Sequence, residues 1–463
     1  MSENSEVVLE SIEKQHNIVK YHYKSSGNVT NYLSNSEAFW IEFDEDISQI
    51  PDAVLAIPFV GNMLPLGILF DTLIHVPALD ADFINAIPNI IRGYQHMYED
   101  CPPLSANVYA AKVIQNEPHK TDQGVLFFSG GADSIYSLIK HAEHKEIGHL
   151  FQVHGADIPY NNLNAWERAK AHTEKIKKEF AVYADYVRCN LHSFVEEGIL
   201  DAYVNTNYHD GFWHGFQHSI GMMTLSAPLI YKYGYRQIYF ASTYAAESSE
   251  KITCASHPSI DNEVHFCGCS VKHDGYEVTR IEKIKEIGRY VNRKKAELPL
   301  RVCYLSKHGD NCCNCKKCTR TAMELFAIGE DPSRFGLNYS KEQLAEAVNT
   351  FAYTDRKEFY EQIHDVLKEF RSEAEIPCGI KGIYNLPFDE WWAPSLSVKR
   401  LLAEYENLKN WTDELQSAKN WIEGEYYRQK EDIEALNAWN KELQSAKAWL
   451  ESEYFRLSKG QQE

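Results

Sequence analysis

The chain has 463 residues, enough for two or three domains, and carries 47 basic against 66 acidic residues, a formal charge of −19. That balance excludes broad, sequence-independent binding to nucleic acid, which depends on Lys and Arg displacing counterions. The opening Met1-Ser-Glu-Asn-Ser-Glu has neither a basic n-region nor an apolar h-region, so the expectation is a cytoplasmic protein without a signal peptide.

Residues 1–120 mix short apolar runs with turns and are expected to form a small α+β domain. The stretch Ala53 to Phe70 is apolar and long enough to span a membrane, but Pro58, Gly61, Asn62, Pro65 and Gly67 interrupt it. Buried strands or short core segments are expected there, and no membrane association. Asp80 to Tyr98 carries Phe83, Ile84, Ile87, Ile90 and Ile91 at helical spacing, and Pro88 should kink or split that helix.

Residues 121–330 alternate strand and helix signals, the pattern of a parallel, doubly wound α/β domain. Strands are predicted near 125–128, 149–153, 183–188 and 237–241. Helices are predicted near 133–144, 161–180, 194–205, 213–233 and 279–293. The first unit is the most informative. Val125 to Phe128 read as a buried strand, Ser129-Gly130-Gly131 as a turn, and Asp133-Ser134 as the start of an amphipathic helix. Backbone N–H groups at such a helix start, with the helix dipole behind them, form an anion site. In doubly wound sheets, ligands sit beyond the carboxyl ends of the strands. That rule assembles the turn at 129–134, His154 to Asp157, Cys189-Asn190 and Ser242 to Tyr244 around one site, with His154 and Asp157 toward an adenosine.

Of eleven cysteines, Cys303, Cys312, Cys315 and Cys318 follow a C-x8-C-x2-C-x2-C spacing. Four thiolates at such spacing close a tetrahedral shell around a structural Zn2+. Cys313 is a spare thiol able to replace Cys312, and Lys316, Lys317 and Arg320 would offset the charge of the cluster.

Ser-Gly-Gly-x-Asp-Ser resembles the PP-loop of the ATP pyrophosphatase superfamily. Together with Cys-Tyr…Gly-Asp-x-Cys-x-x-Cys-x-x-Cys-x-Arg, residues 121–330 resemble 7-cyano-7-deazaguanine synthase and its relatives. The resemblance implies that Ser129, Gly130, Gly131, Ala132 and Ser134 hold the pyrophosphate of ATP, with Asp133 near the loop or a Mg2+ ion. It implies that Arg280 and Lys283, in Thr279-Arg280-Ile281-Glu282-Lys283, serve the reaction beside Asp133. It further implies adenylation of a carboxylate, release of pyrophosphate, and transfer to a nitrogen nucleophile. The segment Phe212 to His218 departs from that family, so the acceptor is expected to differ: a small-molecule or a peptide or protein carboxylate, with an amine partner.

His214 and His218 lie at i, i+4, but the Glu of H-E-x-x-H is missing, and satisfied or surface histidines are the expected reading. His265, Cys267 and Cys269 could supply a second metal site, but a loop with incidental cysteines is the expected reading. Sulfur transfer is the alternative chemistry, with Cys189 as its candidate thiol, and a nucleotide-sensing scaffold is the non-enzymatic alternative.

Residues 331–404 read as helices with loops. In 405–463, residues 408–429 are largely repeated at 436–457. Leu408, Trp411, Leu415, Ala418 and Ile422, then Leu436, Trp439, Leu443, Ala446 and Leu450, form a heptad seam that points to a homo-oligomer or a docked partner.

Overall fold

The computed structural model describes residues 5–392 except 117, 119, 120, 249–251, 306 and 307, together with 412, 419, 430, 433, 437 and 439–447. Residues 1–391 form one compact unit and 392–463 a second.

The first unit is an α/β structure around one large mixed sheet. It begins with an antiparallel hairpin of β1 (Glu6–Gln15) and β2 (Ile18–Ser26), then β3 (Trp40–Phe43), helix α1 (Asp52–Phe70), β4 (Leu73–Val76), a short β5 (Leu79–Asp80), α2 (Ala81–Met97), β6 (Asn107–Ala110) and β7 (Val113–Ile114). The alternating part follows: β8 (Gly124–Phe127), α3 (Ala132–Ala142), β9 (Ile147–His154), α4 (Leu163–Phe180), β10 (Tyr183–Cys189), α5 (Glu197–Tyr208), α6 (His218–Leu225), α7 (Ala227–Tyr233), β11 (Gln237–Ala241), α8 (Pro258–Asp261), β12 (His265–Phe266) and β13 (Cys269–Asp274). It closes with α9 (Arg280–Lys294), α10 (Lys316–Ala327), α11 (Lys341–Phe351), α12 (Lys357–Phe370) and α13 (Lys381–Asn385).

The sheet order is β12-β13-β11-β8-β9-β10-β3-β2-β1-β4-β6. Strands β13, β11, β8, β9 and β10 are mutually parallel. Chain order runs outward from β8 in both directions, first to β9 and β10 and then to β11 and β13. The direction of winding therefore reverses at β8, where the glycine turn leaves the sheet, and such a switch point opens a crevice for ligand.

The four strands expected in this region are all present, within a few residues. The fifth, β13, carries alternation too short to stand out. The helix expected over 213–233 is instead a π-helical turn at Trp213–Gln217 followed by α6 and α7. Pro228 in the first turn of α7 accounts for that second break.

The sheet does not stop at the boundary expected near residue 120. Antiparallel pairing of Val187, Arg188 and Cys189 with Phe43, Glu42 and Ile41 joins β10 to β3. Val125, Phe127, Val187, Ile238 and Phe240 on one face of the sheet share a core with α1, α6 and α7. On the other face, Tyr186 packs on Ala165, Trp166 and Ala169 of α4.

Helix α1 corrects the expectation of strands or short segments over 53–70. It contains Pro58 and Pro65, yet its residues from Ala53 to Leu69 are buried. Among the described residues this is the one helix long and apolar enough to cross a membrane, and 94% of its apolar window is covered by the rest of the fold. A Cβ on Gly61 would sit 2.3 Å from Thr224 Oγ1, so α1 and α6 cross in near-backbone contact. Buried Asn62 donates to the carbonyls of Pro58 and Gly221 and accepts from Gln217 Nε2, clasping α1 to the π-helical turn. Helix α2 runs through Pro88 without interruption.

Of the C-terminal seam, Trp439, Leu443 and Ala446 fall in a described helical stretch, with Trp439 and Leu443 more than half exposed. The other seam residues lie outside the described residues.

Candidate active site

The turn after β8 has the geometry an anion requires. Gly130 adopts φ +79°, a region open to glycine, and Gly131 caps α3. Gly131 N–H donates to Ser129 Oγ at 3.2 Å, and Ser134 Oγ donates to the Gly131 carbonyl at 3.1 Å. The first-turn N–H groups of α3 face a cavity of about 250 Å3, lined by Ser129, Gly131, Ala132, Asp133 and Ser134.

Asp133 lies at the back of this turn. Arg280 Nη1 donates to its Oδ2 at 2.6 Å, and Lys283 Nζ approaches Oδ1 at 3.5 Å. Thr279 and Glu282 form a capping box that sets the start of α9, so Arg280 and Lys283 project one turn apart toward Asp133. Burial alone would push the Asp133 carboxyl up, but Arg280 and then Lys283 outweigh it and hold it below the ordinary carboxylate range. Arg280 also donates to Glu324 and to Thr321 Oγ1, and only its edge reaches the cavity. Lys283 is fully buried and gives its ammonium to the Ser242 carbonyl at 2.5 Å. It braces the loop after β11 instead of lining the cavity.

Beside the turn, the chain entering the cysteine cluster forms an adjoining wall. Arg301 N–H donates to the Gly130 carbonyl at 2.8 Å. Its side chain bridges Ser129 O at 3.2 Å and Gly309 O at 3.0 Å. Helix α10 contributes Lys317 and Arg320. Arg320 is held by both oxygens of Asp355 at 3.1 Å, whereas Lys317 lies over the Tyr304 ring. Among the described residues neither Arg301 nor Lys317 forms a salt bridge; burial lowers the pKa of both, and Asp157 opposes that shift. In the sequence, Lys317 and Arg320 read as charge compensation for the cysteines; spacing gives no direction, and their orientation toward the cavity was not foreseen.

The cluster itself assembles as expected. The Sγ atoms of Cys303, Cys312, Cys315 and Cys318 all lie within 4.8 Å of one another, with Cys303–Cys315 at 3.9 Å and Cys312–Cys318 at 4.0 Å. Thiolates about 2.3 Å from a tetrahedral centre would be about 3.8 Å apart, so this donor set can hold a metal ion and suits Zn2+. All four positions are filled by sulfur, which fits a structural role. Cys313 stands outside the set with φ +51°. His265, Cys267 and Cys269 do not converge on a metal site: Cys267 lies in the tight turn between β12 and β13, and its thiol donates to Asp80.

The remaining cavity wall is aromatic and polar: Trp166, Trp213, His218, Met222, Thr243, Tyr244, Cys254 and Ser256, with Asp157 at the rim. His154 does not line it. The ring is fully buried, stacked on Trp166 at 4.6 Å with Nε2 against the Pro159 carbonyl, and burial lowers its pKa to about 4. Cys189 and Asn190 also stay away from the cavity. The pairing of β10 with β3 turns them inward: Asn190 bonds the backbone of Trp40 and Ala38, and burial raises the Cys189 thiol to about 12. The cysteines that line the cavity are Cys303 of the cluster and Cys254, to which the sequence reading gave no role.

Comparison with protein-family models, with curated proteins and with solved structures returns no match.

Proposed function

We propose that this chain is an ATP-dependent, AMP-forming ligase of the PP-loop type, which adenylates a carboxylate and passes it to a nitrogen nucleophile. One observation carries the reading: the basic side chains Arg301 and Lys317, neither in a salt bridge among the described residues, line the same cavity as the Ser129–Ser134 turn, in a chain whose net charge is −19. A triphosphate is the ligand such a pair of walls suits. Its terminal phosphates would lie on the turn and the start of α3, and the adenine would lie toward Trp166, which lines the cavity. A carboxylate bound toward Trp213 and His218 would then attack the α-phosphate, with pyrophosphate departing toward the turn. Fixed N–H dipoles and cations stabilise the charge that develops on that leaving group. Mg2+ would add further neutralisation of the phosphates.

A metal in the four-cysteine cluster would hold the wall that carries Arg301 and Lys317. Exposure of the heptad positions Trp439 and Leu443 supports assembly with a second copy or a partner helix through the C-terminal repeat.

The test is product analysis with radiolabelled ATP, Mg2+ and a panel of carboxylates and amines. AMP and pyrophosphate are expected, with both lost in Ser129→Ala and Lys317→Met. ADP as the sole product, or ATP binding undiminished by both substitutions, would sink the reading.

A further inference from the structure

A second cavity adjoins the first. Its volume is about 170 Å3, and Tyr244, Cys254 and Ser256 line both. One water takes about 30 Å3, so the space suits a molecule of a few heavy atoms. His273, near the end of β13, also lines it. The His273 N–H donates to Asn262 Oδ1 at 2.8 Å, which fixes the residue in place. Its Nδ1 pairs with Asp261 Oδ2 at 2.7 Å, and neither side chain is more than 1% exposed. A carboxylate only accepts, so Nδ1 carries the proton and the neutral ring offers a lone pair at Nε2. Among the described residues nothing bonds that Nε2. Asp261 accepts from Ser219 as well, and from Ser256 Oγ at 3.0 Å. Ser256 thus spends its proton on Asp261 and keeps its oxygen lone pairs for the cavity. Among the described residues no Lys or Arg lines this space. Burial lowers the pKa of His257, another lining residue, so that ring stays uncharged at neutral pH.

We propose that this second cavity holds the nitrogen nucleophile, a small primary amine whose N–H groups are donated to His273 Nε2 and Ser256 Oγ. The proposal rests on the adenylation reading above. A carboxylate or phosphate ligand would meet lone pairs, with a buried carboxylate behind them and no cation to offset the repulsion. An amine meets the acceptors it needs, and Met97, Ala245 and Ile252 give its carbon chain an apolar surface. Ser256 belongs to both cavities, so the nitrogen it holds lies at their boundary. There the amine lone pair attacks the acyl carbon of the adenylate. A C–N bond forms, the C–O bond to phosphate breaks, and AMP leaves with the electron pair. The nitrogen then loses one proton to water, and no oxidant or reductant is required. His273 and Ser256 touch the amine. Asp261 is a positioning residue that acts through both.

The experiment is fluorine NMR of 2-fluoroethylamine, whose line should broaden on adding the full chain with MgATP. His273→Asn keeps an amide N–H for Asp261 but removes the acceptor, and should weaken the affinity about 10-fold. Ala246→Leu, at an exposed lining position, narrows the cavity and should weaken it by a similar factor. In turnover, the KM for the amine should rise in both variants while the KM for ATP holds. No broadening with the unaltered chain overturns the proposal, as does equal broadening in both variants. A KM for ATP that rises with that for the amine overturns it too, because it marks a disturbed first cavity. Should His273→Asn not fold, Ala246→Leu decides alone, and unchanged broadening there overturns the proposal. Ammonium chloride that displaces the probe and binds more tightly overturns the assignment to a primary amine. Broadening that the variants lose, in a chain that forms AMP with no carboxylate, keeps the amine site and sinks the adenylation reading.

Discussion

The backbone N–H of Arg301 donates to the carbonyl of Gly130 at 2.8 Å, so the segment that enters the cysteine cluster is hydrogen-bonded to the glycine turn. The Arg301 guanidinium adds bonds to Ser129 and Gly309 on either side. Arg301→Met keeps the backbone bond and removes the charge. A charged hydrogen bond contributes about 1.5–3 kcal/mol, so ATP affinity should fall roughly 10- to 100-fold, measured by calorimetry.

Gly130 and Gly131 should respond differently to alanine. Gly130 has φ +79°, and an added Cβ would lie 2.8 Å from His172 Cε1 and 3.3 Å from Arg301 Cβ. The backbone term alone costs about 1–2 kcal/mol, so Gly130→Ala should lower Tm and abolish ATP binding. Gly131 has φ −76°, and its nearest obstacle is Ser129 Oγ at 3.2 Å. Gly131→Ala should keep the fold, with loss confined to affinity; equal Tm values for the two variants would contradict this geometry.

Metal should be linked to nucleotide binding. Cys315 caps α10 and Cys318 lies within it, and the same helix places Lys317 and Arg320 at the cavity. Elemental analysis should give one Zn2+ per chain. Chelation or Cys315→Ser should lower both Tm and ATP affinity, while Cys313→Ser should leave the zinc content unchanged.

Removing Arg280 would leave Glu324 buried without its ion-pair partner and Asp133 with only Lys283, at 3.5 Å. Arg280→Met should cost about 3–5 kcal/mol in denaturant unfolding. Arg280→Met with Asp133→Asn should recover part of that loss, a coupling that a double-mutant cycle measures.

His154 should make the fold acid-labile. Its pKa falls from an ordinary value near 6.5 to about 4 because the ring is buried. The unfolded chain therefore binds the proton more readily. The stability this provides is complete above pH ~6.5 and drains away as pH falls toward 4, by about 3 kcal/mol. His154→Phe retains a ring to stack on Trp166 and should flatten that limb of the Tm-against-pH curve.

The parallel strands were legible because runs such as Val125 to Phe128 are apolar and bounded by turns. The four cysteines were legible because their spacing alone restricts geometry. Helix α1 was not, because Pro58, Pro65 and the further breakers Gly61, Asn62 and Gly67 outweigh hydrophobicity in any local reading, and only burial on every side shows why the helix persists. The joint between β10 and β3 is non-local and leaves no sequence trace. It is also why Cys189 misled: its place at a strand end points to the site, but its partner strand turns it inward. Cys254 carries no motif, so nothing local in the sequence marks its place at the cavity.

The pairing of β3 with β10 has a practical consequence for anyone dissecting this chain. A fragment starting at residue 121 would expose the backbone of Val187, Arg188 and Cys189 as a free strand edge. Such an edge recruits neighbouring copies, so the fragment should precipitate or form β-rich oligomers on its own and become soluble only when residues 1–116 are supplied alongside.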